Sequence, residues 1–122
     1  MPVVTLRTLP LPAATVEPML PALAAAVASS LGVPADRVFA VHQTLTAFAE
    51  GDRLAAAHGR GTHPPLVDIS AFAGRSDAQI ESALRAAAAV VTTALAVEPA
   101  NAFVTYTEIG RGRVLTGGAV RR

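Results

Sequence analysis

The chain has 122 residues and a mass of 12.4 kDa, room for one domain around one hydrophobic core. Ten basic residues, every one an Arg, stand against nine acidic ones, 52% of the chain is hydrophobic, and Lys, Cys and Trp are absent. This balance excludes a disulfide scaffold, a thiol catalyst and a cysteine-ligated metal site, and it gives no general field for nucleic acid or anionic lipid.

Taken in chain order, Pro2 to Leu9 reads as a strand. Apolar residues at Val16, Leu20, Leu23, Val27 and Leu31 then trace one face of a helix. Thr15 is its candidate cap, and Pro18 and Pro21 predict an irregular start that becomes regular after about Pro21. The stretch from Met19 to Val33 has the apolar character of a signal segment but carries prolines and starts late, so a helix of a mature, cytoplasmic protein is expected. Asp36 lies in the turn before a β-rich run from Arg37 to Leu45. Residues 46–64 form a linker of mixed charge, with a short helical turn expected around Leu54 to Ala57. His58 and His63 in it lack a third ligand, so no metal site is expected.

A second strand is expected from Pro65 to Ala73. The capping-box pair Ser76 and Gln79 opens a second helix with apolar groups at Ile80, Leu84, Ala87, Val91 and Leu95. No uncharged run here approaches the ~20 residues of a membrane span. A last β-rich run covers Ala102 to Ile109. The second half therefore repeats the first: unit one over residues 2–45, unit two over residues 65–118, each β-α-β. Together they predict a single α+β domain over residues 1–122, with a four-stranded mixed sheet and both helices on one face. The bare face needs a cover, and another copy of the same sheet is the expected one.

Pro2 directly after Met1, the step Gly74-Arg75-Ser76-Asp77 and the duplicated frame resemble the tautomerase superfamily. The likeness is to units of 4-oxalocrotonate tautomerase fused in one chain, as in the macrophage migration inhibitory factor, 5-carboxymethyl-2-hydroxymuconate isomerase and malonate semialdehyde decarboxylase branches. It implies a homotrimer that needs no cofactor and acts on a small anionic carboxylate. Removal of Met1 would free the Pro2 nitrogen to act as a general base in isomerising a 2-oxo or enol carboxylate. Arg75 would bind the carboxylate with two donors. Phe103 and Thr105 would line the pocket, on the opposite strand face from Tyr106 and Glu108.

By the same resemblance, Asp36, with Arg37 beside it, corresponds to an acid that aids catalysis in the decarboxylase branch. Arg111 and Arg113 would reach the substrate from the tail. The relatives' additional arginines are replaced here by Phe72, Ala73 and Phe103, which predicts a pocket of few positive charges and a monoanionic substrate. Two other readings keep the fold: a decarboxylase or dehalogenase with Pro2 as a charged acid, and a non-catalytic trimeric binding or scaffold protein.

Overall fold

The computed structural model describes residues 1–55 and 64–122. Its four main strands are β1 (Val3–Thr8), β2 (Phe39–Thr44), β5 (Leu66–Phe72) and β6 (Phe103–Ile109). They lie in the order β2-β1-β5-β6, with parallel outer pairs and an antiparallel central pair. The helices α1 (Ala13–Leu31) and α2 (Asp77–Leu95) cross between the parallel strands. The expected β-α-β architecture is the one observed.

Alternation sorts the residues of the central strands. Val4, Leu6, Val67, Ile69 and Ala71 point into the helices and are buried. Leu23 and Val27 of α1 and Ala83, Ala87 and Val91 of α2 meet them. On the other face Asp68 accepts hydrogen bonds from Ser70 at 2.9 Å, Thr105 at 2.6 Å and Thr107 at 3.0 Å. Phe39, Val41 and Phe103 stand exposed on the same face, so the apolar surplus of the composition collects there.

The central pairing has an internal symmetry. Val3 faces Ser70, Thr5 faces Asp68 and Arg7 faces Leu66. A half-turn about the Thr5–Asp68 pair carries Val3 onto Leu66 and Arg7 onto Ser70, so the two units are interchanged by a pseudo-twofold axis through the sheet.

Three local expectations are corrected. Thr15 does not cap α1: the helix opens at Pro12, whose carbonyl accepts from the Thr15 N–H at 3.0 Å, and no side chain caps it. The helix is also continuous from Ala13, with Pro18 and Pro21 inside it. Both prolines stand on the exposed side, where water can satisfy the carbonyls they leave open. By length and composition α1 could cross a membrane, with mean hydropathy 1.3, but Met19, Leu23, Val27 and Leu31 pack against the sheet.

The third correction concerns the linker. Leu54 and Ala55 are not helical but belong to β4 (Arg53–Ala55), paired antiparallel with β3 (Phe48–Glu50). Ala56, Ala57, His58 and His63 lie outside the described residues. A matching hairpin, β7 (Val114–Thr116) with β8 (Ala119–Arg121), follows β6. The repeat is therefore larger than β-α-β, with a short hairpin completing each unit. The sequence signal was the two-residue turns Gly51-Asp52 and Gly117-Gly118, whose glycines all adopt positive φ.

The expected capping box at Ser76 is present, with the Gln79 N–H donating to Ser76 Oγ at 3.2 Å. The helix C-termini differ. Gly32 ends α1 in the left-handed conformation at φ 69°, and its counterpart Ala96 ends α2 at φ 53°. A side chain there costs about 1 kcal/mol. Ala96→Gly is therefore expected to stabilise the fold by up to about 1 kcal/mol in chemical denaturation.

Candidate active site

Antiparallel pairing of β1 with β5 sets the first residues of the chain against the last of β5. Pro2 is fully buried, and its carbonyl accepts from the Phe39 N–H at 3.0 Å. The Met1 amine is thereby held beside the turn that leaves Phe72. That turn needs Gly74, whose φ of 115° suits no other residue well, and it delivers Arg75 half-buried at the foot of α2. Arg75 Nη1 donates to the Phe72 carbonyl at 3.2 Å, which orients its guanidinium.

Four segments converge on the amine. A cavity of about 420 Å³ is bounded by Met1, Asp36, Arg37, Phe39, Phe72 and Arg121, with Thr116 and Gly117 of the C-terminal hairpin. The amine titrates below the ordinary value of a chain terminus. Partial burial is the main cause, followed by the positive charges of Arg75, Arg37 and Arg121. The expectation of a weakly charged pocket is corrected: Arg37 and Arg121 add the positive field that Phe72, Ala73 and Phe103 do not supply. Arg121 was not foreseen, because only the hairpin's return brings it back to the first residue.

The other expected site residues separate. Phe103 faces Leu66, at the opposite end of β5 from Phe72, about 20 Å away along the strand. Thr105 uses its hydroxyl to bind Asp68 at mid-sheet. Neither lines the cavity around the amine within this chain. Arg111 borders an adjoining cavity, whereas Arg113 is exposed and borders neither. His42 holds a structural position, its Nε2 2.8 Å from the hydroxyl of buried Thr8.

Tyr106, set aside at the sequence level, lies on the helix side of β6 close enough to Arg75 for the two to interact. Its hydroxyl is buried and has no hydrogen-bond partner among the described residues. Burial raises the phenol above its ordinary range and Arg75 opposes that rise.

The pseudo-twofold axis generates a second cavity of about 400 Å³ at the far end of the sheet. Pro64 stands there for Met1, Ala100 for Asp36, Asn101 for Arg37 and Phe103 for Phe39. Pro65 is buried like Pro2, and the Phe103 N–H reaches its carbonyl at 3.2 Å. Its nitrogen is an internal amide, however, and with the helix caps Pro12 and Ser76 in register Leu11 occupies the position of Arg75. The terminal amine borders one cavity and an internal proline the other.

Solved structures share this frame. A native fused 4-OT superposes with a TM-score of 0.87 at 21% identity, covering 97% of this chain and 94% of that one. The chain has the tautomerase fold. The macrophage migration inhibitory factor of Toxoplasma gondii matches with a TM-score of 0.77 at 16% identity, over 97% of this chain and 98% of that one. A member of the cis-3-chloroacrylic acid dehalogenase family gives 0.80 at 15% identity, over 98% and 83%. No family model and no curated protein sequence matches the chain. Within the tautomerase fold, this chain sets its amine among three arginines drawn from β5–α2, the turn before β2 and the C-terminal hairpin.

The amine's depressed pKa depends on those charges, so removing one should be measurable. Arg75→Ala is expected to move the midpoint for acylation of the terminal amine, followed against pH, upward toward that of an ordinary terminus.

Proposed function

We propose that the chain is a cofactor-independent isomerase in which Pro2, freed by removal of Met1, is the general base on a small 2-oxo or enol carboxylate. The observation that carries this reading is the partly buried terminal amine among Arg75, Arg37 and Arg121. After Met1 is removed, the nitrogen in play is the secondary amine of Pro2, one residue deeper and subject to the same charges. Desolvation and three guanidinium groups all penalise its protonated form, which favours the neutral base more than at an ordinary chain terminus.

The geometry suggests a division of labour. Arg75, steadied by the Phe72 carbonyl, takes the substrate carboxylate. Pro2 then removes a proton from carbon next to the carbonyl and returns it to a different atom of the delocalised enolate. Arg37 and Arg121 stabilise the negative charge that develops on the oxygen. The same positive field opposes the reading of Pro2 as a standing acid, which requires the ammonium form.

For assembly, we propose a homotrimer packed through the sheet face that exposes Phe39, Val41 and Phe103. Two of the structural relatives are described as a symmetric and an asymmetric trimer of fused 4-OT. Light scattering is expected to give about three times the 12.4 kDa chain mass. A monomer at micromolar concentration would refute the trimer.

Intact mass is expected to show loss of Met1. On phenylpyruvate enol, Pro2→Ala should lower kcat/KM about 10²-fold. Activity should fall as pH drops through the depressed amine pKa and stay level above it. The opposite limb would favour the acid reading, and full turnover by Pro2→Ala would favour the scaffold reading.

A further inference from the structure

Unit two carries a tyrosine where unit one carries a histidine, and the surroundings have changed with it. Phe103 corresponds to Phe39 across the pseudo-twofold axis, so Tyr106 corresponds to His42. Each lies on the helix side of its outer strand, His42 opposite Leu6 and Tyr106 opposite Ile69. In unit one the polar group is satisfied locally. The Thr8 hydroxyl donates its one proton to the Leu9 carbonyl at 2.7 Å, so its oxygen accepts from His42 Nε2 at 2.8 Å. The counterpart of Thr8 in unit two is Ala71, which has no hydroxyl to offer.

Unit two offers Arg75 instead. Unit one has Leu11 at that position, so the guanidinium is present only beside the tyrosine. Arg75 is half-buried and spends one N–H on the Phe72 carbonyl at 3.2 Å. It acts on the Tyr106 phenol both through its charge and as a hydrogen-bonding neighbour. Tyr106 packs against the core, and its hydroxyl is enclosed there with no bonded partner among the described residues. A guanidinium carries five N–H donors in one rigid plane, and a phenol oxygen accepts. A buried oxygen left open beside such a donor is uncommon and needs a reason.

We propose that Tyr106 is the positioning residue of Arg75. When a carboxylate takes the outward N–H groups of Arg75, the phenol oxygen accepts an inward one and holds the guanidinium plane against the ligand. This rests on the function proposed above in one respect, that Arg75 is the carboxylate-binding group. Tyr106 does not line the cavity around the amine, so it acts through Arg75.

Tyr106 is the sole tyrosine and the chain has no Trp, so near-ultraviolet absorbance reports this one phenol. Followed against pH, Arg75→Ala is expected to move the phenol midpoint upward, because burial then acts unopposed. An unmoved midpoint would overturn the contact. Calorimetry uses hexanoate as the probe carboxylate. Tyr106→Phe keeps the ring and loses the oxygen, and should weaken hexanoate binding about tenfold. Its denaturation midpoint should be unchanged or higher, since the substitution removes an open buried hydroxyl. In the Arg75→Ala background the same change should cost no further affinity. Full affinity in Tyr106→Phe, with or without a loss of stability, would overturn the positioning role, as would an equal loss in both backgrounds. Affinity unmoved by Arg75→Ala would overturn both this role and the carboxylate site. Turnover of phenylpyruvate enol is read in parallel. Coupled loss of hexanoate affinity in a chain without turnover would refute the isomerase reading alone, and turnover with full affinity in Tyr106→Phe would refute the positioning role alone.

Discussion

The antiparallel contact between β1 and β5 is the constraint on which the rest depends. Its register, centred on Thr5 and Asp68, makes the two units symmetric and buries Val4, Leu6, Val67 and Ile69 under the helices. The same register fixes where the chain begins. Because Val3 lies opposite Ser70, the residues before it must face Phe72 and the turn to Arg75. A one-residue slip would turn the core residues of β1 toward the bare face and carry the amine away from Arg75. Fold stability and site geometry are thus set by one ladder of hydrogen bonds.

Symmetry supplies two cavities, and the residues that fill them have diverged. At one end stand an amine, Asp36, Arg37 and Arg121; at the other stand Pro64, Ala100, Asn101 and, in the hairpin position, Ala55. The far end keeps the shape but not the excess of positive charge, since the charged groups on its lining are one acid and one base, Glu50 and Arg53. Continuity of the chain explains part of this, since Pro65 has no free nitrogen to activate. An arginine at the counterpart of half-buried Arg75 would meet no base there and would only carry the desolvation cost of its charge.

Much of the fold was legible because helix and strand periodicities are local. The apolar spacing that begins at Val16 returns at Ile80, and the Ser76 and Gln79 pair marks a helix start without any tertiary information. Pro2 and Arg75 were singled out only through the resemblance to the tautomerase superfamily, which rests on a position and a short motif. The hairpins were harder, because strands of three residues are too short to show alternation, and only their Gly turns mark them. The distance of Phe103 from the amine within the chain was not legible, because alternation along β6 tells which face a residue takes but not which end of the sheet it occupies. Arg121 was invisible for a related reason: its approach to the first residue depends on how the hairpin returns across the sheet.

The account's central claim is that the terminal amine is neutral when the protein works, and this can be measured without any substrate. The protein, processed to begin at Pro2 and labelled with ¹⁵N-proline, should show the Pro2 nitrogen titrating clearly below the ~8 of an ordinary chain terminus and neutral at pH 7.5. Titration at or above ~8 would leave the nitrogen largely protonated there and would contradict the account.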